Sequence, residues 1–329
     1  MRTFYDRYHL PEISLGFCRE TMRGIAQTEP EKSWYIQWML SRAFQLNLND
    51  HPDFIFYSCG GNRQHLLNTS SIRIFTTGEN IPPNWDEADY ALTHERIYNN
   101  RHWRVPLWRH WYAHGQSTVM QDFETVKARV ERFCNFIYSN DRALERIDFY
   151  DLLHARKHVH AGGKVRNNIG GRVEDKAAFI AGSKFTIAFE NESHPGYSTE
   201  KIIQPLMAGS IPIYWGDSTI TQDLNPNRFI NVHDYPSFDA AIDRVLEIDQ
   251  DDKLWEAYIR EPLFRHDKIP DELSDEAILN FFHQIFSKKQ PQIGRLKKLQ
   301  QKSGMSLRES ALKKNVNRVK NKIARSFGK

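Results

Sequence analysis

Short apolar runs along the chain alternate with segments in which apolar residues recur at helical spacing. FTIAFEN (Phe185 to Asn191) is an apolar run of strand length, and a polar stretch follows it. TEKIIQPLMAG (Thr199 to Gly209) then has helical spacing and ends on glycine, and SIPIYWG (Ser210 to Gly216) is a second strand-like run. Strand, turn, helix and strand within about 30 residues make one βαβ unit, so this region predicts a parallel sheet.

The same alternation recurs on both sides of residue 130. Further strands are predicted at FIFYS (54–58), SIRIFTTGEN (71–80), YALTH (90–94) and RFCNFIYSN (132–140). Further helices are predicted at residues 33–46, 123–133, 143–156, 175–184 and 236–248. A chain of 329 residues is long enough for two domains. We therefore expect an α/β protein with one domain in residues 1–130 and another in residues 131–287.

The composition is typical of a folded protein outside the membrane. Hydrophobic residues make up 40% of the chain, which is ample for two cores. No apolar run approaches the roughly 20 residues of a membrane span, and MRTFYDRYHLPE at the start has no segment typical of a signal peptide. Cys18, Cys59 and Cys134 stand far apart, so neither a disulfide framework nor a cysteine zinc site is expected. We expect a soluble, cytoplasmic protein.

Charge is distributed unevenly along the chain. The net charge is +4, yet the segment from Lys288 to the end has fourteen Lys or Arg and a single acid, Glu309, so the remainder is net acidic. Apolar residues of this segment share one helical face: Leu312, Val316, Val319, Ile323 and Phe327. Residues 288–329 therefore predict a basic amphipathic helix that binds an anionic membrane surface. A solvated tail and a nucleic-acid-binding tail are the alternatives, although no nucleic-acid-binding motif accompanies the charge.

FENESHPGYSTEKI (Phe189 to Ile202) joins the predicted strand to the predicted helix. Ligands of open α/β sheets bind beyond the carboxyl ends of strands, and a helix that starts there presents free backbone N–H groups. A phosphate group suits such a place. Lys201 falls in the first helical turn, where a cation is unfavourable for the helix dipole unless an anion lies beside it. The alternative is a surface turn capped by Ser198, since neither a P-loop nor GxGxxG follows a strand here.

The same stretch resembles the defining motif of the α1,3/α1,4-fucosyltransferases, especially the bacterial, Helicobacter-type members. FEN, a variable loop, Y-x-TEK and a strand ending in glycine follow in that order in FENESHPGYSTEKIIQPLMAGSIPIYWG. FTTGEN (75–80), followed by DEADYALTH and RVPLW, resembles the acceptor-domain core of that family. SNDRALERIDFYDLL, followed by GGKVRNNIGG, resembles the segment before its main motif. The resemblance extends over roughly residues 10–285 in fixed order.

This resemblance implies a GT-B glycosyltransferase fold, in which two Rossmann-like domains face a cleft. The acceptor-binding domain would be residues 1–130, the GDP-fucose-binding domain residues 131–287, and residues 288–329 the basic helical tail. The family resemblance also implies inverting transfer that requires no cofactor, although a divalent metal could stimulate it.

The resemblance also implies roles for individual residues. Glu79 of TGEN would be the catalytic general base. Arg146 of ALERI would bind the diphosphate, and Arg166 of VRN would be an additional donor contact. The other implied donor contacts are Asn191, Tyr197, Glu200 and Lys201. Without a metal, such cations must stabilise the charge that develops on the leaving group.

Two stretches depart from the family pattern and leave the acceptor open. ESHPG (192–196) fills the variable loop, and no role is assigned to its first four residues. LGFCRE (15–20) stands in place of a tryptophan-rich acceptor stretch. No metal site is expected, because the closely spaced histidines of the second domain lack a carboxylate set: His154, His158 and His160.

The implied enzyme is an α1,3-fucosyltransferase that moves L-fucose from GDP-fucose to O3 of N-acetylglucosamine. Its acceptor would be an N-acetyllactosamine-like glycan with galactose, as in Lewis-antigen synthesis on lipopolysaccharide at the inner face of the membrane. The alternatives are a GT-B transferase with another acceptor or GDP-sugar, and a non-catalytic glycan-binding protein. Glu79, Arg146 and Lys201 together favour an enzyme, because a binding module needs neither a base nor a diphosphate clamp.

Overall fold

A computed structural model describes residues 11–17, 35–49, 51–60, 70–112 and 122–288. The chain forms two compact units. The first comprises the described residues up to Thr93, Ile97–Trp103 and those from Ile278 onward, and the second comprises His94–Arg96 and Arg104–Ala277. The chain therefore changes unit near residue 104 rather than at the expected residue 130, and it returns to the first unit near its end.

The described strands form one sheet in each unit. Their bounds are β1 Glu12–Phe17, β2 Gln45–Leu48, β3 Phe54–Tyr57, β4 Ile72–Thr76, β5 Tyr90–Thr93, β6 His102–Arg104, β7 Arg132–Phe136, β8 Val159–Ala161, β9 Ser183–Phe189, β10 Ile211–Trp215 and β11 Ile230–Asn231. The first sheet has the order β2-β1-β3-β4-β5-β6 and the second β11-β10-β9-β7-β8. The pairings from β2 to β5 and throughout the second sheet are parallel, as the alternating pattern predicted.

Helices connect these strands. Their bounds in the described ranges are α1 Tyr35–Ala43, α2 Trp108–Trp111, α3 Phe123–Arg129, α4 Leu144–Arg156, α5 Lys176–Ala181, α6 Glu200–Ala208, α7 Phe238–Gln250, α8 Asp252–Arg260 and α9 Asp275–Phe286. Short 3₁₀ turns occur between β10 and α9.

Aromatic packing explains why the end of α9 belongs to the first unit. The Phe286 ring lies with its centroid 5.0 Å from that of Phe44 and 4.7 Å from that of Phe54. The Phe282 ring lies 6.0 Å from Phe56. Because such rings bury large apolar areas, they hold α9 against the first sheet although it follows the second unit in sequence.

Strand β9 lies in the middle of the second sheet and is buried over all seven of its residues. The predicted βαβ unit is confirmed as β9, α6 and β10. Helix α6 begins one residue later than predicted, and its N-cap is Thr199 rather than Ser198, because the Thr199 side chain accepts a hydrogen bond from the Lys201 backbone N–H. Gly209 ends the helix in the left-handed region, with φ of 77°.

The second sheet also contains β8, which the hydrophobic pattern did not predict. This strand has three residues and is too short for a period to be recognised. The strand predicted at residues 132–140 ends at Phe136, and the polar residues after it form the rim of a cavity described below. No helix of the described ranges is long and apolar enough to cross a membrane. Apart from Lys288, the predicted basic helix lies outside the described residues.

Candidate functional site

A cavity of about 250 Å³ lies in the second unit, where β7 and β9 end. These strands are parallel neighbours, so their carboxyl ends lie at the same edge of the sheet. Its lining includes residues from the segment after β7, the first turn of α4, the start of α5 and the first turns of α6. This is the edge at which the sequence predicted a ligand. Of the described residues, three cations line the cavity: Arg146, Lys176 and Lys201.

Arg146 is fully buried in the first turn of α4, and not on an exposed helix face. Its Nη2 donates to the Phe189 backbone oxygen at 2.8 Å and to Asn191 Oδ1 at 2.9 Å. Its Nη1 donates to the Asn140 backbone oxygen at 3.3 Å. In the described part of the chain these partners are all uncharged, and no carboxylate forms an ion pair with the guanidinium. A buried cation of this kind favours an anionic ligand.

The Tyr138 ring packs against the face of the Arg146 guanidinium. The Cζ atom of Arg146 lies 3.9 Å from the centre of the Tyr138 ring, which is cation–π geometry. The Tyr138 hydroxyl donates to the Ile187 backbone oxygen at 2.9 Å and accepts from the Phe189 N–H at 2.9 Å. Burial raises the pKa of Tyr138 to about 12, although the nearby Arg146 opposes the shift. The phenol is therefore neutral, and it fixes Arg146 against the end of β9.

Lys201 belongs to a charged group centred on Glu190, which directly follows β9. The Lys201 ammonium donates to Glu190 Oε2 at 3.1 Å and to Thr199 Oγ1 at 3.0 Å. The Glu190 carboxylate, which is fully buried, also accepts from the Thr199 N–H at 2.7 Å and from the Thr199 hydroxyl. The anion expected beside Lys201 is therefore supplied by the protein itself, so Lys201 alone does not require a bound phosphate.

The pKa shifts of this group follow from burial and from the close charges. Burial raises the pKa of Glu190, and the Lys201 ammonium opposes that shift. Burial lowers the pKa of Lys201, but the Glu190 and Glu200 carboxylates outweigh it, so the net pKa is raised. Burial also acts to raise the pKa of Glu200, but Lys201, Lys176 and hydrogen bonds together outweigh it, so the net pKa is lowered. Lys201 therefore carries its charge at neutral pH.

Lys176 is the third cation of the cavity and opens helix α5. Its ammonium donates to Gln204 Oε1 at 2.8 Å. Burial lowers the pKa of Lys176, and Glu200 opposes the shift. Nothing in the sequence singles out Lys176, because a lone lysine at a helix start is common. Lys176 comes close to Lys201 only because α5 and α6 pack together.

The structure brings four of the predicted donor contacts together and not the other two. Arg146, Asn191, Glu200 and Lys201 line the cavity. Tyr197 is buried and is not among the residues that line it; its ring packs edge-on against His94 at 5.2 Å. Arg166 forms a two-pronged ion pair with Asp151, with both side chains about half exposed. The Asp151 carboxylate raises the pKa of Arg166, and this pair likewise does not line the cavity.

Glu79 lies in the first unit, three residues after β4 ends at Thr76. Its side chain is exposed, and its backbone N–H donates to Thr77 Oγ1 at 3.0 Å. This turn presents the carboxylate to solvent at the carboxyl end of a parallel strand, the edge at which ligands of open α/β sheets bind.

Sequence reasoning did not identify Tyr138, Lys176 and Glu190 as site residues. Glu190 had a signal, because it stands inside the FEN motif at the end of a predicted strand. Tyr138 had a weaker one, because it lies in a polar segment after a strand. Their roles depend on contacts with residues about 10 to 50 positions away along the chain, which no local pattern records.

Two family models match this chain. The model described as "Glycosyltransferase family 10 (fucosyltransferase) C-term" matches residues 126–267. The model described as "Alpha-(1,3)-fucosyltransferase FucT N-terminal domain" matches residues 25–111. The first of these contains every described residue that lines the cavity.

Individual relatives agree with these matches. An alpha-(1,3)-fucosyltransferase of Helicobacter pylori is 32% identical over 260 residues, which are 68% of this chain and 54% of that protein. The human 4-galactosyl-N-acetylglucosaminide 3-alpha-L-fucosyltransferase 9 is 32% identical over 117 residues, which are 34% of this chain and 32% of that protein. The chain thus spans about half or less of the length of these relatives.

A solved structure shares the fold. The crystal structure of an alpha1,3-fucosyltransferase with GDP-fucose superposes with a TM-score of 0.73 at 28% identity, covering 86% of this chain and 93% of that one. The expected α/β fold of the GT-B class is thereby confirmed.

Replacing Glu190 tests the charged group beside the cavity. In Glu190→Gln the Lys201 ammonium loses its buried counter-charge, so we expect the free energy of unfolding to fall by about 3 kcal/mol. Urea denaturation followed by tryptophan fluorescence measures this change. The control is Glu192→Gln, because Glu192 is exposed two residues away. Equal stabilities of the two variants would show that Glu190 does not hold the group together.

Proposed function

We propose that this chain, which belongs to glycosyltransferase family 10 (the fucosyltransferases), transfers L-fucose from GDP-fucose to a glycan in α1,3 linkage. The observation that carries this proposal is the buried Arg146 guanidinium, which lines a cavity at the carboxyl end of β9 without a carboxylate partner in the described chain. A diphosphate supplies the negative charge that this environment favours.

The donor would bind with its diphosphate against the three cations of the cavity. Arg146 has a planar fork of N–H groups that matches phosphate oxygens, while Lys176 and Lys201 act as point charges. Lys201 is partly neutralised by Glu190, so Arg146 would supply most of the charge stabilisation as the bond to GDP breaks. Asn191 would act by orienting Arg146 through their 2.9 Å hydrogen bond. Because these groups are the protein's own cations, the transfer would need no metal.

The acceptor hydroxyl would be deprotonated by Glu79 as it attacks the anomeric carbon from the face opposite the diphosphate. This direct displacement inverts the configuration at that carbon. The exposed position of Glu79 after β4 leaves its carboxylate accessible to an acceptor. An N-acetyllactosamine-like acceptor, attacked through O3 of N-acetylglucosamine, is supported by the human relative, whose name specifies a 4-galactosyl-N-acetylglucosaminide. Lipopolysaccharide would carry this glycan.

Turnover tests the proposed reaction and its base. The purified chain, with GDP-fucose and N-acetyllactosamine, should release GDP and form a product whose α1,3 linkage is determined by NMR. Glu79→Gln should lower kcat roughly 10²–10⁴-fold and still bind GDP, because only the proton acceptor is removed. Asp86→Asn, which changes another exposed carboxylate of the same unit, serves as the control.

The outcomes of this experiment separate the alternatives. Turnover with another donor or acceptor would indicate a different transferase, and glycan binding without any turnover would indicate a binding protein. A fully active Glu79→Gln would remove Glu79 as the base without affecting the proposed donor site.

A conservative change of Arg146 tests the donor cavity. Arg146→Lys keeps the positive charge but cannot maintain the bonds to Phe189 and Asn140 while binding phosphate through two N–H groups. We expect the Kd for GDP, measured by isothermal titration calorimetry, to rise about tenfold or more. Arg142→Lys is the control, because Arg142 is exposed four residues away. An unchanged Kd in a folded Arg146→Lys protein would contradict the proposed diphosphate site.

The basic tail would hold the enzyme at the inner face of the membrane. Each basic residue near an anionic surface contributes about 1 kcal/mol of binding, and fourteen lie between Lys288 and Lys329. Truncation after residue 290 should therefore abolish co-sedimentation with phosphatidylserine vesicles at physiological salt and leave turnover of a soluble acceptor unchanged. Co-sedimentation that persists after truncation would disprove the anchor.

A further inference from the structure

A second group of polar side chains in the second unit lies outside the donor cavity. His94 and Glu95 directly follow β5, and His194 belongs to the loop between β9 and α6, in the segment to which the sequence assigned no role. The Nε2 atom of His194 lies 3.2 Å from Glu95 Oε2, and the Nε2 atom of His94 lies 3.8 Å from Glu95 Oε1. One potential ligand atom from each of the three residues lies within 4.8 Å of the other two.

These separations suit a metal ion. Zinc bonds of roughly 2.0–2.2 Å to nitrogen and oxygen place tetrahedral ligand atoms about 3.4 Å apart. The two distances to the Glu95 carboxylate lie on either side of that value. His94 is fully buried and Glu95 is 14% exposed, whereas the His194 side chain is 36% exposed. The two inner residues are thus held by packing, and His194 on its loop closes the set from the solvent side.

The loop that carries His194 is held in place by two hydrogen bonds to the segment that follows β10. Ser193 Oγ donates to the Gly216 backbone oxygen at 2.7 Å, and the Gly196 N–H donates to Asp217 Oδ1 at 2.7 Å. Gly196 has φ of 86°, and a Cβ atom there would lie 2.4 Å from the His94 backbone oxygen. The loop therefore touches the His94 segment so closely that only glycine fits. Such support reduces the reorganisation that ion binding requires.

We propose that His94, Glu95 and His194 bind one divalent transition-metal ion of the zinc type. Two imidazoles and one carboxylate are a common protein ligand set for zinc, and a water molecule would complete the tetrahedron at the exposed side. The ion ties the loop after β9 to the segment after β5. None of the three residues lines the donor cavity, so the ion has a structural role. This site is independent of the proposed diphosphate clamp and of the transfer reaction.

The cluster of His154, His158 and His160 is a less suitable site. Its rings follow one another at centroid distances of 5.0 and 4.6 Å. Among the described residues no carboxylate joins it in a metal-ligand set, and the Nδ1 atom of His154 already accepts a hydrogen bond from the Val159 N–H. A histidine of this cluster therefore provides the matched control.

Metal titration of the full chain tests the proposal. Protein freed of metal by a chelator is titrated with Zn²⁺ in competition with a chromophoric zinc indicator, and with Co²⁺, whose visible absorption reports tetrahedral coordination. We expect one tightly bound equivalent and a Zn²⁺-dependent rise in Tm. His194→Ala and Glu95→Gln should lose both the tight equivalent and the Tm rise, because ligands are removed. His158→Ala should retain both.

Two results would overturn the proposal. If the wild-type chain binds no stoichiometric Zn²⁺ and its Tm does not respond, the three side chains form only a histidine–carboxylate contact. If binding survives in His194→Ala and disappears in His158→Ala, the ion occupies the other histidine cluster. GDP affinity measured on the same samples distinguishes a failure of this site from a failure of the donor cavity, since the two share no residue.

Discussion

The second unit depends on how it holds a fully buried guanidinium at the end of its central strand. Arg146 reaches from the first turn of α4 to the last residue of β9, and Tyr138 lies under it. Burying a cation is unfavourable unless it is hydrogen-bonded and its charge is balanced. Backbone and amide oxygens provide the hydrogen bonds but not a negative charge. This leaves an environment that favours an anion, and it is the physical reason for proposing a diphosphate donor at this site.

The neighbouring cation, Lys201, differs from Arg146 because carboxylates of the protein neutralise its charge. Lys201 is surrounded by the carboxylates of Glu190 and Glu200, and the buried Glu190 also binds both the backbone and the hydroxyl of Thr199, the N-cap of α6. This group connects the end of β9 to the start of α6. Lys201 is therefore bound within the βαβ unit by its carboxylate partners. Arg146 has no carboxylate partner in the described chain, so its charge is not neutralised by the protein. In the proposed reaction, such a division would allow the framework to remain rigid as charge develops on the leaving group.

Sequence reasoning identified much of this site, but not the contacts that organise it. The FEN and TEK residues were placed correctly at a strand end and a helix start, because hydrophobic periodicity and a glycine stop define those elements locally. The position of Lys201 in the first turn of α6 does not by itself indicate a bound phosphate, because Glu190 is the anion beside it. Tyr197 and Arg166 share a motif with the cavity residues, yet their side chains pair with His94 and Asp151. Proximity in sequence to the cavity residues therefore does not determine whether a side chain points into the cavity.

By itself, the sequence determined the α/β class, the central βαβ unit and the fucosyltransferase family. Strand and helix periods, turn residues and an ordered motif are local properties of the chain, so they can be recognised without coordinates. Only the tertiary structure decided which cation is neutralised, that residues 278–288 return to the first unit, and that His94, Glu95 and His194 converge. These features arise when segments distant in sequence share one desolvated space, where burial and the nearest charges set the state of each group.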